Sequence, residues 1–511
     1  MSKLLPSRPN LEQLKNQAKD LVKSHRLADP EALARIQASH PRFAQGPSSG
    51  VGKAKFSLSD AQVVLAREYG FPSWAKLKQH VESLLLENGD PKELFKKAFE
   101  EDDAPLFHKL LERHPQLKSG INEPVAAFDS PVIIQVRSRE MLDVLLEAGA
   151  DINAKSRWWA GGFGILHGAN PEVAAYAIER GARVDAHAAA RLGLIGNLRE
   201  LLSAHPELVH ERGGDGQTPL HFASTVEIAE WLLDHGADID ARDVDHESTP
   251  AQWMLRDRQK IARFLVRRGC RTDILMAAAL GDADLVRRHL DADPDCIQTR
   301  VTHEYFPNQN PKAGGTIYQW TLGWYVSPHE VAKQFGHPEV FRLLMERSPL
   351  DVKFIAACWN AEESTVKSIL EQHPNLVAEL PAAHRHHPAL AARNNNLAAV
   401  ATMLAAGLPV NTLGQHGATP LHWAAFHGNL EMIQVILRYD PPLEQKDHDF
   451  QGTPLGWALH GSEHGWHCRT GNYPGTVAEL LKAGAEAPQQ LKGTQAVREV
   501  LLSFQTPGNP A

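Results

Sequence analysis

Residues 417–437, GATPLHWAAFHGNLEMIQVIL, constrain the fold more than any other stretch of the chain. Thr419 is a residue type that caps helix N-termini, and Pro420 suits the first helical position, where a missing N–H leaves no bond unmade. Leu421 opens an apolar face, and Ala424 and Ala425 leave room for a close neighbour. Gly428 can take the left-handed conformation that stops a helix after about two turns. Leu430, Ile433, Ile436 and Leu437 then recur at helical spacing, so a second amphipathic helix follows at once. Two short helices joined so tightly form a hairpin that cannot bury its own apolar faces. It has to stack on copies of itself.

The copies are present. Thr218-Pro219-Leu220-His221 precedes a second helix ending LLDHGADID at residues 232–240, and the same ending recurs as LLEAGADIN at 145–153 and LLKAGA at 480–485. Thr249-Pro250-Ala251-Gln252 and Thr453-Pro454-Leu455-Gly456 follow the two intact motifs at a spacing of roughly 33 residues, which is that of an ankyrin repeat. On these residues the chain resembles the ankyrin repeat family over 91–511, strongly at the repeats of Thr218 and Thr419 and weakly at most others. The resemblance implies an all-α fold, an ankyrin-repeat solenoid of stacked helix hairpins with turn or finger connections. It also implies a concave face, made of turn tips and first helices, that binds a partner protein or peptide. A longer period is superimposed: His114-Pro115, His205-Pro206, Asp293-Pro294 and His373-Pro374 recur every 80 to 90 residues or so, which points to duplication of blocks of repeats.

Residues 1–90 lack the repeat and read as a small helical N-terminal module. Leu11, Leu14, Ala18, Leu21 and Val22 mark one amphipathic helix and residues 31–39 a shorter one. Residues 46–52, rich in Gly, Pro and Ser, read as a loop. Ser57 and Ser73 then cap two further helices, the second carrying Trp74, Leu77, Val81 and Leu84. The segment LSDAQVVLAREYGFPSWAKLKQHVE resembles the helical leader found ahead of repeats in many bacterial ankyrin proteins. This module has 13 Lys plus Arg against 9 Asp plus Glu within a chain of net charge −8. Its charges are spread over several helices without a recognition helix or an Arg cluster, so a nucleic-acid role is not expected.

Hydrophobic content of 43% and charged content of 22% are those of an ordinary soluble protein. No run of about 18 apolar residues is present and residues 1–10 hold no apolar export core, so a cytoplasmic protein without a membrane partner is expected. Cys270, Cys296, Cys358 and Cys468 lack paired metal spacing and are expected as reduced thiols. His464, His467 and Cys468 are zinc ligands in type but define no fourth ligand; no metal and no cofactor are expected.

Two interruptions carry the functional candidates. A finger at 297–326 holds Tyr305, Phe306, Tyr318, Trp320, Trp324 and Tyr325 among Asn and Gly residues. A second insertion at 463–473 reads EHGWHCRTGNY. Trp423 and Trp457 share one motif position, which tends to face the groove, and with Tyr318, Trp320, Trp324 and Trp466 they could form an aromatic platform. Ten of the 27 histidines lie between His384 and His467. His167, His221 and His422 fall at the motif position that hydrogen-bonds across the turn, whereas His460, His464 and His467 are candidate polar contacts. The leading expectation is recognition of a protein or peptide. The alternative is a small polar, carbohydrate-like ligand, bound or hydrolysed with Glu304, Asp449 or Glu463 as candidate catalytic acids and bases. The two insertions are expected to face one side, with Trp423 and Trp457.

Overall fold

Reciprocal caps fix where each repeat begins. In the computed structural model, which describes residues 3–6, 9–44, 51–52 and 54–505, the Thr419 backbone N–H donates to His422 Nδ1 at 3.2 Å. The other ring nitrogen of His422 meets the Gly452 carbonyl of the following turn at 3.1 Å. One imidazole therefore occupies a donor that the helix leaves unpaired and ties down the next repeat. His221 does the same between Thr218 (3.1 Å) and Ser248 (3.2 Å). In degenerate copies another side chain takes the position: Gln252 Oε1 accepts from Thr249 N at 2.9 Å and Glu330 Oε2 from Ser327 N at 2.6 Å. The helix Pro420–His427 ends at Gly428 with φ 62°, and Leu430–Leu437 follows.

The chain forms two compact units, Met1–Ala188 and Ala189–Ala511. The first begins with helices Leu11–Arg26, Pro30–Ser39, Leu58–Glu68 and Trp74–Asn88, as the apolar spacing predicts. Ala18, Leu21, Ile36, Val64 and Leu65 form their core, and Arg35 holds Glu68 through Nε (2.9 Å) and Nη2 (3.0 Å). Of the expected loop at 46–52 only Val51 and Gly52 lie within the described residues; the Val51 side chain is buried and its carbonyl meets His25 Nε2 at 2.8 Å. The expected boundary at 90/91 is not a boundary between compact units: residues 1–90 share a unit with the helices Pro91–Glu100, Ala104–Arg113, Arg139–Glu147 and Pro171–Glu179. Lys109 Nζ reaches back to the buried Glu82 carboxylate at 3.0 Å.

The second unit continues the hairpins, among them Pro219–Phe222 with Val226–Asp234, Ile274–Leu280 with Ala283–Ala292, His387–Arg393 with Leu397–Ala405, and Pro454–His464 with Tyr473–Lys482. One continuous core runs from Phe354 to Leu501. The long-period Pro motifs each start a single turn after a second helix, as at Pro206–His210 and Pro294–Gln298. Among the described residues no strand forms and all four cysteines are free thiols.

Replacing Thr419 by Ala removes an acceptor that the 1%-exposed cap offers to His422 N–H. The substitution should lower stability by about 1 kcal/mol, and Thr453→Ala should do likewise. Urea unfolding at constant m-value measures both; an unchanged midpoint would contradict the capping roles.

Candidate functional site

The finger leaves and rejoins the stack at one point. Val301 N–H donates to the Val326 carbonyl (3.1 Å) and Tyr325 N–H to the Val301 carbonyl (2.9 Å), closing the base of the loop. Its body lies along the turn of an earlier repeat, where Glu247 accepts from Gln309 and Asn310 N–H at 2.8 and 2.7 Å and the Gly314 N–H donates to the Asp245 carbonyl at 2.8 Å. Tyr325 sits at φ 61°, a conformation that costs a non-glycine residue about 1 kcal/mol or more. Its ring lies under the Arg300 guanidinium at 4.9 Å.

The second insertion is partly absorbed into helix. Pro454–His464 runs through Glu463 and His464, and Tyr473 begins the next helix, so the loop proper is 465–472. Glycine lets it lie close to the preceding repeat: a Cβ at Gly461 would stand 2.5 Å from the Phe426 carbonyl and one at Gly471 2.6 Å from that of His427. Tyr473 Oη donates to the Phe426 carbonyl at 2.8 Å, and Asn472 N–H to that of Gly428 at 2.8 Å.

The two interruptions meet on Arg393. Its guanidinium lies 3.7 Å from the centre of the Trp324 ring, 5.6 Å from that of Trp466 and 5.7 Å from that of Trp423. Trp324 belongs to the finger, Trp466 to the second insertion and Trp423 to the helix between. Around them opens a cleft of about 580 Å³ whose lining includes Glu330, Trp359, Asn394, His427 and His467. Its size is that of a small-ligand or side-chain pocket, with flat apolar walls and few charges. Burial pushes Arg393 down to about 10. His427 Nε2 donates to the Arg393 carbonyl at 2.9 Å, and burial holds that imidazole down to about 4, so it is neutral at physiological pH.

The remaining candidates separate. Tyr318 is fully buried, its hydroxyl donating to Asp273 Oδ2 at 2.7 Å; it anchors the finger and is no ligand wall. Trp320 is exposed but packs its ring, tilted, against His246 (4.7 Å), away from the cleft lining. Trp457 and Trp423 are 8% and 3% exposed within the core, contrary to the open platform expected of them. Trp457 Nε1 donates to Asp447 Oδ2 at 2.9 Å, and Trp253, at the same motif position, donates to Asp243, so this tryptophan anchors its own turn through an Asp ten residues earlier. Ahead of Trp423 that position is Leu413, and the Trp423 indole N–H has no partner. His460, Glu463 and His464 line a different cleft of about 860 Å³ with Arg498. Asp449 is bonded to His416 Nδ1 at 2.7 Å, and Glu304 stands exposed on the finger. Neither cleft is lined by two of the three candidate carboxylates.

Sequence reading missed Arg393, Glu330 and the Asn394 turn, which sit in ordinary repeat positions and become distinctive through what lies against them. Of the histidines clustered between His384 and His467, His387, His422 and His427 are buried. His387 Nδ1 accepts from Trp359 Nε1 (2.8 Å) and its Nε2 faces His384 Nδ1 (3.3 Å), while His384 Nε2 meets Asp351 (3.3 Å). Two groups could hold a cation by residue type, His167 with Asp185 and His187, and Asp215 with Asp245 and His246. In each the histidine already serves a turn, His167 accepting from Gly164 N–H (3.2 Å) and His246 Nδ1 meeting the Gly315 carbonyl (2.8 Å).

A family model of ankyrin repeats matches three segments, residues 186–276, 353–447 and 389–486. This is an ankyrin-repeat protein. A search of curated proteins gave no match. The ankyrin matches stop at residue 276, before the finger, and resume at 353, after it. Ankyrin repeats are in general protein-interaction scaffolds, and no helix among the described residues of this one is long and apolar enough to cross a membrane.

Two outcomes follow for the ankyrin stack around the cleft. Trp423→Ala should cost about 3–5 kcal/mol by emptying a core site, whereas Trp466→Ala, at a 61%-exposed ring, should cost about 1 kcal/mol or less in urea unfolding. Burial lowers His329 to about 3 and His427 to about 4, below the unfolded value near 6.5. The unfolded chain therefore takes up these protons first. Stability from both groups is complete above about pH 6.5 and declines as pH falls toward 4. Their ring NMR signals should remain those of neutral imidazole at pH 5.5, and protonated signals there would refute this.

Proposed function

We propose that this ankyrin-repeat protein binds a partner protein through a peptide segment laid into the cleft of Trp324, Arg393 and Trp466, on the concave side expected of first helices and turn tips. The observation that carries the reading is the convergence of two insertions from different repeats on one guanidinium. Both insertions place an aromatic side chain, Trp324 and Trp466, on the lining of the same cleft. Trp466 remains 61% exposed there, an unusual position for an indole that has no binding work. Flat, rigid rings with a few polar groups suit a segment held by stacking and hydrogen bonds.

The hydrolytic alternative has less support. The carboxylate lining this cleft is Glu330, whose Oε2 accepts from Ser327 N–H (2.6 Å) and Arg300 (3.4 Å), leaving it a helix cap beside an arginine rather than half of an acid and base pair. Panning a random-peptide display library on the full chain tests the binding reading. Enriched sequences, made synthetically, should bind Trp466→Ala roughly tenfold or more weakly than wild type, a loss of the size that a buried aromatic anchor gives. Equal binding to both proteins would refute the site.

A further inference from the structure

Within that binding reading, on which this inference rests, we propose that the segment occupying the cleft is acidic and sets an Asp or Glu carboxylate on the guanidinium of Arg393. Three other cations of this unit have acids: Arg300 meets Glu330 at 3.4 Å, Lys333 meets Glu362 at 2.5 Å and Arg347 meets Asp291 at 2.6 Å. Arg393 has none among the described residues. Its guanidinium donates from Nε to the amide oxygen of Gln415, at 2.7 Å, and the two Nη nitrogens have no acceptor among the described residues. Three indoles lie against this half-buried group and displace part of its water, and an ionised group partly stripped of water without a counter-charge is destabilised unless something else supplies the charge.

The charge inventory narrows the occupant. Of the ionisable groups lining the cleft, Glu330 and Lys333 are matched by Arg300 and Glu362, so Arg393 leaves one positive charge uncompensated. A singly charged, planar carboxylate fits both the magnitude of that charge and the fork of the two Nη groups. A phosphate dianion would call for a second positive charge, for which the lining offers no further Lys or Arg without an acid, only the imidazole of His467. Unmade bonds lie in the same lining. The ring of His427 lines the cleft and is 2% exposed; with Nε2 donating to the Arg393 carbonyl, its Nδ1 is an acceptor without a partner among the described residues, and so is the buried Oε1 of Glu330. Behind the lining, Trp423 Nε1 is a buried donor without a partner among the described residues, its ring 6.0 Å from that of Trp466. A peptide brings amide N–H and C=O groups along with its side-chain carboxylate and can complement each kind of group, while Trp324 and Trp466 stack on its apolar parts.

The test uses the same library, panned on the full chain, followed by synthetic peptides that are acetylated and amidated so that side chains alone carry charge. Enriched sequences should share an Asp or Glu, and changing it to Asn or Gln should weaken binding to wild type roughly 10- to 100-fold, as expected for a charge-assisted hydrogen bond. The same change should have little effect with Arg393→Gln, because the partner of the carboxylate is then gone. Should that variant fold poorly, the peptide-side change against wild type alone decides. Peptides that need Trp466 yet carry no acid would overturn the carboxylate assignment and leave the binding site standing. Peptides indifferent to Trp466→Ala would overturn both. A phosphoserine version binding tenfold tighter than its aspartate counterpart would assign Arg393 to phosphate and overturn the carboxylate reading.

Discussion

The imidazole that spans from one helix start to the next turn is the interaction on which the rest of the structure depends. At His422 a single ring accepts the Thr419 N–H and reaches the Gly452 carbonyl. A helix of two turns has nearly as many unpaired backbone groups as paired ones, and satisfying one of them from a neighbouring repeat makes the helix and the stacking interdependent. Where the histidine is replaced, Gln252 and Glu330 preserve the inward half of this arrangement. The Glu330 substitution also brings a carboxylate into the interior, which Arg300 accompanies from the base of the finger.

That local self-sufficiency is what tolerates two large insertions. The finger departs and returns between backbone groups of Val301, Tyr325 and Val326 that bond each other, so its length does not strain the hairpins on either side. The second insertion uses a different device. It extends a first helix by about a turn and then folds the return loop onto the Phe426 and His427 carbonyls, where glycines at 461 and 471 are the residues that fit. Both solutions end with a tryptophan against Arg393.

The three tryptophans that share a motif position show how one residue type serves two purposes. Trp253 and Trp457 donate to Asp243 and Asp447 and so hold their own turns. Trp423 has Leu413 in place of that aspartate, so its ring packs in the core while its N–H stays unmatched among the described residues. The difference is one residue at a distance of ten. It is visible in the sequence to a reader who knows that the indole and the aspartate meet, a fact that the fold supplies.

The sequence by itself determined the repeat. Thr-Pro starts, Ala-rich first helices and Gly ends are local statements about backbone conformation, so residues 218–240 and 419–437 could be read as hairpins and the rest aligned to them. It also located both insertions, because extra residues disturb a spacing that can be counted. Burial and partnership were decided only by tertiary structure. Tyr318 and Trp324 are aromatic neighbours in one finger, yet one is a fully buried anchor and the other faces a cleft, since the finger is fixed by the turn at 243–248 and by Asp273, residues far from it in sequence. Arg393 carries no signal of its own. It became the centre of the candidate site because three tryptophans, from a finger, a helix and a loop spread over about 140 residues, arrive at it and, among the described residues, no acid does. Pairing of that kind depends on distances between repeats, which a pattern of period and polarity does not encode.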